Sequence, residues 1–322
     1  MRQWMYWLGA AAIVVLWLWV LQRPADVGPD LEVYSRTVSE MRQGHGYYQA
    51  MYDALSAVNG PPSEARSYRF PTVFYLWRFT GLTWPLVLAV IIVAGWEVSL
   101  ISHPVVGVFC AVYLATIARP PSVPAVYGWV ELWALPLLLA AILAIRRDRW
   151  TLAAVCILAA ALVRETVAPV VVSGAVAAWL SHRSLRPWLI ASAAWLAFLA
   201  WHLSHVLLSP TGTEMSLVGT GGLWAALNMA GPAIAPVGAI VTVIALWRAR
   251  FTPEWWLTLP LLVGIPLIGF IASRDYWGIL VFPIALALAG PQPRQPEATL
   301  GVGGSQSSWA LSGIPRFRRA DR

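Results

Sequence analysis

The chain has 322 residues, of which 59% are hydrophobic and 11% are charged, whereas a soluble globular protein carries about 25% charged residues. Its formal net charge of +7 would suit a nucleic-acid partner, but the arginines lie mostly in short segments between apolar runs, where the positive-inside rule explains them. Cys110 and Cys156 lie inside apolar runs, which argues against a disulfide framework or a metal cluster. The composition therefore predicts a polytopic membrane protein that has no nucleic-acid partner.

About ten apolar runs approach the length of membrane helices, which is about 17 to 25 residues. The first, near residues 4–21, has the weak positive start of a signal peptide but no clear cleavage site, so we interpret it as a retained helix. The two runs on either side of Arg164 are short and could form one bent or re-entrant unit. After the first run, the predicted runs are 83–101, 104–118, 129–146, 150–163, 166–180, 188–207, 233–247, 255–272 and 276–290, and those at 150–163 and 166–180 flank Arg164.

The predicted fold is therefore all-α, with about ten transmembrane helices in a single membrane-embedded domain over residues 1–290. Residues 291–322 are rich in Pro, Gly, Ser and Arg. This composition cannot bury a core, so it predicts a disordered cytoplasmic tail.

A polar segment, residues 22–83, separates the first two apolar runs. Its apolar residues recur at helical spacing in two stretches, which predicts two amphipathic helices at the membrane surface. The residues of the two stretches are Leu31, Tyr34, Val38 and Met41, followed by Tyr48, Met51, Tyr52 and Leu55. Residues 69–72 then turn the chain back towards the membrane, and the aromatic residues that follow suit an interfacial belt: Phe74, Tyr75, Trp77 and Trp84.

The arginines are distributed unequally between alternate loops. If the amino terminus is cytoplasmic, the short outer loops hold only Arg119, Arg164 and Arg274. The inner loops and the tail hold Arg146, Arg147, Arg149, Arg183, Arg186, Arg248, Arg250, Arg316, Arg318, Arg319 and Arg322. The positive-inside rule thus predicts a multi-pass protein of the cytoplasmic membrane, whose amino terminus is cytoplasmic and whose segment 22–83 faces outward.

Each of the three outer arginines has an acidic companion in the sequence. Glu165 follows Arg164 and Asp275 follows Arg274, while Glu131 lies at the start of the helix after Arg119. Ionisable groups at membrane depth are costly and usually face a polar, functional cavity. We predict an outward cavity in which carboxylates transfer protons and guanidiniums bind phosphate. Its candidate residues are Asp30, Arg69, Arg119, Arg164, Glu165, Arg274 and Asp275.

Several of these features together resemble the polytopic GT-C glycosyltransferases. The resemblance covers residues 1–180 best and rests on a short first helix, an outward loop and three local sequences. These are the series Asp30, Tyr34, Arg42, Gly44, Tyr47 and Tyr48, the YRFPT sequence at 68–72, and the LVRET sequence at 162–166. Members of this superfamily transfer a sugar from a polyprenyl-phosphate or polyprenyl-diphosphate carrier outside the cytoplasmic membrane. The paired acidic motif of some branches is absent, because Leu31 follows Asp30.

The resemblance implies a direct displacement at the anomeric carbon of a polyprenyl-phosphate sugar. Asp30 would accept the proton of the acceptor hydroxyl as general base. Cations would hold the leaving lipid phosphate, and aromatic rings would stack on sugar or polyprenyl. The implied phosphate ligands are Arg164, Arg274, Arg119 and Arg69, and the implied stacking residues include Tyr47 and Tyr48. The expected partners are this donor, a glycan, lipid or protein acceptor, and membrane lipids, while no metal and no cofactor is expected.

Simpler roles remain open for the same residues. Asp30 is also a suitable helix N-cap, and the pair of Arg164 and Glu165 could only stabilise a helix bend. His202 and His205 share a helix face, but no third metal ligand lies near them in the sequence. Two other functions are also open: a transporter or lipid flippase, and a non-catalytic subunit of an envelope-glycan assembly complex.

Overall fold

The computed structural model describes residues 29–59, 68–81, 83–118, 130–207, 235–264 and 278–290. Within these ranges the chain forms helices and no strand. The α-helices are α1 Pro29–Arg42, α2 Tyr47–Asn59, α3 Thr72–Thr80, α4 Trp84–Ile101, α5 Pro104–Ala118, α6 Val130–Arg146, α7 Trp150–Val163, α8 Ala168–Leu180, α9 Arg186–Leu207, α10 Ala235–Arg248, α11 Pro253–Leu259 and α12 Gly278–Ala289. A 3₁₀ turn, Glu165–Val167, precedes α8, and a π-helical turn, Pro260–Gly264, follows α11.

The all-helical prediction is confirmed for the described residues. From α4 onward, the described helix ends lie within about two residues of the predicted ones except at α11, because Ala, Leu and Val runs of this length favour helix. The run predicted at 255–272 forms an α-helix only over Pro253–Leu259, followed by a π-helical turn to Gly264, and its last eight residues lie outside the described part. By length and composition, one described stretch, Arg186–Val206, could cross a membrane. The count of ten spans stays a prediction, and both the run at 4–21 and the tail from 291 lie outside the described residues.

Polar contacts join several loops at one end of the helical bundle. Arg146, at the end of α6, donates a hydrogen bond to the carbonyl oxygen of Ile101, at the end of α4. Its Nε lies 3.0 Å from Oε1 of Glu254, in the first turn of α11. Gly290, after α12, packs against Ser102, after α4. We call this end, where α4, α6 and α12 finish and α11 starts, the basic end.

Two further contacts bring the remaining loops to the basic end. Asp148, just before α7, forms an ion pair of 2.8 Å with Arg183, just before α9. Both helices therefore start at this end, and α8 returns between them. Arg248 donates to the carbonyl oxygen of Ala289, so α10 also finishes here. Because α6 has 17 residues, its first turn at Glu131 lies about 24 Å away, at the opposite end of the bundle.

The two predicted amphipathic helices form α1 and α2, and their apolar faces are covered by protein. These helices pack against each other, and α1 also contacts α3. At the centre of their contact, the Thr37 hydroxyl lies 3.6 Å from the Met51 sulfur. The buried residues include Tyr34, Val38, Met41, Met51 and Leu55. The helical periodicity therefore marks a face that packs inside the protein.

The last helix of the polar segment is α3. Phe74 and Trp77 are fully buried, so the prediction of an interfacial aromatic belt is wrong for these two residues. Phe74 packs edge-on against Tyr34 at 5.3 Å, and Trp77 packs edge-on against Trp133 at 5.8 Å. Their spacing of three residues places both on the helix face that meets the core, whereas Tyr75 lies on the exposed face.

The helices α4 and α5 touch along their backbones. A Cβ atom at Gly107 would lie 1.8 Å from the Ser99 Oγ and 2.3 Å from the Gly95 carbonyl oxygen. No side chain other than hydrogen fits there, because such distances lie far inside van der Waals contact. The two helices therefore form a tight hairpin whose link is residues 102–103.

Gly174 of α8 is similarly required by its contact with α9. A Cβ atom there would lie 2.0 Å from one ring carbon of Trp188 and 2.3 Å from another. We expect Gly174→Ala to lower the free energy of unfolding by about 1–3 kcal/mol, because the buried indole must shift. Thermal unfolding of the detergent-purified protein measures this loss. Gly46→Ala is the control, since no atom lies within 4 Å of its Cβ; equal losses would contradict the steric explanation.

Candidate functional site

Four paired charges meet at the end of the bundle opposite the basic end. Arg164 follows α7 in an extended conformation, with φ −137° and ψ 113°. Its Nη1 lies 2.8 Å from Glu165 Oε1, and its Nε lies 2.8 Å from Glu131 Oε1. Arg69 reaches the same oxygen of Glu165, with its Nη1 at 3.1 Å. We call Arg69, Glu131, Arg164 and Glu165 the ion cluster.

The members of the ion cluster differ in exposure. Arg164 and Glu131 are each 2% exposed, and burial of a charge is strongly unfavourable unless it is paired. The side chain of Glu165 is 30% exposed, and that of Arg69 is 13% exposed. The second carboxylate oxygen of Glu165, Oε2, is buried and has no hydrogen-bond partner among the described residues. Arg164 thus orients Glu165, whose Oε2 is the atom of this pair that remains able to accept a hydrogen bond.

Tyr34 of α1 and Tyr47 of α2 hold Arg69 in place. Its Nε donates to the Tyr34 hydroxyl at 2.9 Å, and the Tyr47 hydroxyl donates to its carbonyl oxygen. Burial, with smaller contributions from Tyr48, Tyr34 and Glu165, raises the pKa of Tyr47 well above its ordinary value. Tyr47 therefore stays protonated at neutral pH and acts as a hydrogen-bond donor that positions Arg69. Its ring is fully buried against protein.

Tyr48 belongs to an aromatic group that includes the end of α9. Its hydroxyl forms a hydrogen bond of 3.0 Å with Nδ1 of His202, and its ring stacks on His205 at 5.0 Å. The buried His202 also forms a hydrogen bond with the backbone of Tyr68. Burial raises the pKa of Tyr48, so it too stays neutral. Other aromatic rings also lie around Tyr48, which is partly exposed: those of Tyr47, Tyr68, Trp201 and His202.

The remaining predicted site residues are only partly described by the structure. Asp30 lies in the first turn of α1, one helical turn before Tyr34, and its side chain lies outside the described part. Because α1 begins at Pro29, Asp30 follows the helix start, whereas an N-cap would precede it. Arg119, Arg274 and Asp275 lie outside the described residues, so their place in the site stays a prediction.

An apolar cavity of about 370 Å³ adjoins the ion cluster. Helices α3, α4, α6 and α7 line it, and three of the lining residues are sequence neighbours of the cluster. Val163 directly precedes Arg164, Trp133 lies two residues after Glu131, and Thr72 lies three residues after Arg69. The other lining residues are Val73, Leu76, Ala89, Val90, Val93, Pro136 and Leu137. No member of the ion cluster lines the cavity, which offers a hydrocarbon chain an apolar site that begins one residue from Arg164.

Sequence reasoning missed the roles of Glu131 and His202. Glu131 starts the helix that follows Arg119 in the sequence, but in the structure it pairs with Arg164. Its signal was an acid in the first turn of an otherwise apolar helix, which is costly unless paired. The sequence suggests only metal binding as a role for His202, whereas in the structure it forms a hydrogen bond with Tyr48. Among the described residues, no three His, Cys, Asp or Glu side chains lie close enough together to hold a metal ion.

The arrangement combines a buried carboxylate oxygen that has no partner among the described residues, a partly exposed guanidinium, a partly exposed tyrosine and an apolar cavity. Such a site can orient a hydroxyl group and bind an amphiphile beside it. No family model, curated protein or solved structure matches this chain.

Proposed function

We propose that this protein is a GT-C-like glycosyltransferase of the cytoplasmic membrane, which transfers a sugar from a polyprenyl-phosphate donor to a glycan, lipid or protein acceptor on the outer face. The observation that carries the proposal is the ion cluster beside the apolar cavity. A polyprenyl-phosphate sugar joins a hydrocarbon tail, an anionic phosphate and a hydroxyl-rich ring. These three parts need an apolar cavity, cations and hydrogen-bonding side chains, respectively.

The surface of the bundle supports a place in the membrane. In the most apolar 18-residue window of α9, only 17% of residues are buried inside the protein. Soluble proteins rarely expose apolar patches of this extent, whereas lipid covers them in a membrane. Exposed side chains on other elements include Phe79, Trp96, Val108, Val172, Trp179, Val243, Trp247 and Phe251. In this proposal the basic end faces the cytoplasm and the ion cluster faces outward.

The proposed roles follow from the resemblance to GT-C glycosyltransferases and from the charges of the ion cluster. Asp30 is the general base, and Oε2 of Glu165 accepts a hydrogen bond from a substrate hydroxyl. The ion cluster contains two arginines and two glutamates, so it carries no formal net charge when both carboxylates are ionised. A lipid phosphate therefore needs further cations beside Arg69, and Arg119 and Arg274 are proposed for this role, the latter with its neighbour Asp275.

Transfer by the purified protein tests the proposed function. Proteoliposomes that hold the protein are incubated with a series of radiolabelled polyprenyl-phosphate sugars and an acceptor extract from the source membrane. We expect label to enter a new glycosidic product with at least one donor, and none to enter with protein-free liposomes. Absence of product with every donor, from protein that retains its thermal unfolding transition, would contradict the proposal.

A transporter or flippase is the second candidate, and interrupted helices favour it. Pro136 lies inside α6, Pro283 lies inside α12, and α11 passes into the π-helical turn Pro260–Gly264. Such discontinuities are typical of transporters, whose broken helices line substrate sites. Substrate flux across the proteoliposome membrane without a new glycosidic bond would favour this function over transfer.

A further inference from the structure

A second apolar cavity, of about 350 Å³, lies between α7 and α9. Its lining is apolar apart from Thr151 and Arg186, each in the first turn of its helix. The apolar lining residues are Ala154, Val155, Leu158, Pro187, Ile190 and Ala191. From Thr151 to Leu158 the cavity follows α7 for about 10 Å. No residue of the ion cluster lines this cavity.

The polar residues of this second cavity lie together at the basic end. The ion pair between Asp148 and Arg183 joins the starts of α7 and α9. Thr151 and Arg186 therefore lie at the same mouth of the cavity, and its apolar part runs from there towards the middle of the bundle. The cavity also opens sideways, since Val155 is 57% exposed and Ile190 is 59% exposed.

The mouth of the cavity carries a surplus of positive charge. The residues 147–149 and 183–186 around it contain exposed arginines and a single acid. The arginines are Arg147, Arg149, Arg183 and Arg186, and the acid is Asp148, which gives a formal charge of +3 from four cations and one anion. Each basic residue beside a leaflet raises the affinity for anionic lipid about fivefold.

We propose that one anionic phospholipid of the cytoplasmic leaflet binds here, with its phosphate at Arg186 and an acyl chain between α7 and α9. A soluble anion would leave the apolar part of the cavity unfilled, and a zwitterionic lipid would not neutralise the arginines. An anionic phospholipid satisfies both. This inference depends on the proposed membrane placement, but it does not depend on glycosyl transfer.

Lipid retention by the full-length, detergent-purified protein tests the inference. Native mass spectrometry compares dioleoylphosphatidylglycerol with dioleoylphosphatidylcholine, whose acyl chains are identical. We expect the protein to retain phosphatidylglycerol preferentially, and Arg186→Gln to lower this retention about fivefold. Val155→Trp should lower it as well, because the indole fills the cavity.

Two matched variants separate this site from general attraction to the surface. Arg250→Gln removes another exposed arginine of the basic end, and Val243→Trp enlarges a similarly exposed valine on α10. Both should retain phosphatidylglycerol as the unaltered protein does. Equal retention of the two lipids, equal losses in Arg186→Gln and Arg250→Gln, or full retention by Val155→Trp would each overturn the inference. Since the readout is bound lipid, its failure and failure of the transfer assay are distinct results.

Discussion

Replacing Asp30 with Asn should lower the rate of sugar transfer by about 10²- to 10⁴-fold, because the amide cannot take the proton of the attacking hydroxyl. The substitution keeps the size of the side chain, so donor binding should change little. The effect should therefore fall on kcat, with KM nearly constant. Initial rates of labelled transfer in proteoliposomes, over a range of donor concentrations, measure both quantities.

A carboxylate on α2, that of Asp53, provides the control for Asp30. Asp53 on α2 accepts a hydrogen bond of 2.9 Å from Gln49 and is partly exposed. Asp53→Asn should keep the transfer rate within about twofold. Equal rates for the unaltered protein and Asp30→Asn would eliminate Asp30 as the base. Envelope-glycan assembly that survives Asp30→Asn but not disruption of α1 and α2 would instead indicate a non-catalytic subunit.

Replacing Arg164 with Met should lower the free energy of unfolding by about 3–5 kcal/mol. Met approximately retains the volume of the side chain but removes the cation that lies 2.8 Å from both Glu131 and Glu165. Glu131 is 2% exposed, so its charge is then left buried without this compensation. Denaturant or thermal unfolding of the detergent-purified protein measures the loss.

An exposed ion pair of the same length is the control for this substitution. Arg183 and Asp148 are also 2.8 Å apart, but their side chains are 43% and 58% exposed. Arg183→Met should therefore cost only about 0–1 kcal/mol. Adding Glu131→Gln to Arg164→Met should restore part of the lost stability, because it removes the uncompensated charge. Equal costs for the two arginine variants would show that burial does not decide the effect.

The helices could be read from the sequence, because runs of Ala, Leu and Val of this length bounded by polar loops favour helix. The common end of Arg69, Arg164 and Glu165 also followed from the alternation of inner and outer loops, and the structure brings these three together. The sequence did not predict that Arg164 is the partner of Glu131. Ion pairing across helices depends on their rotation and packing, and proximity in the sequence favoured Arg119.

The surroundings of the aromatic residues also could not be predicted from the sequence. The sequence predicts an interfacial position for Phe74 and Trp77 and a stacking role for Tyr47. All three side chains are instead fully buried in protein. Periodicity identifies an apolar helix face, but it cannot distinguish lipid from protein as the neighbour, since both are apolar. The places of Asp30, Arg119, Arg274 and Asp275 in the site remain predictions.

The backbone contact between Gly95 and Gly107 bears on the order in which the bundle assembles. The hairpin of α4 and α5 closes through a link of two residues, so it needs little loop-closure entropy and can form as soon as both helices have been synthesised. The candidate site instead unites α1, α2 and α6 with the end of α9. We therefore expect the site to complete late, after His202 has been inserted, around a hairpin that is already rigid.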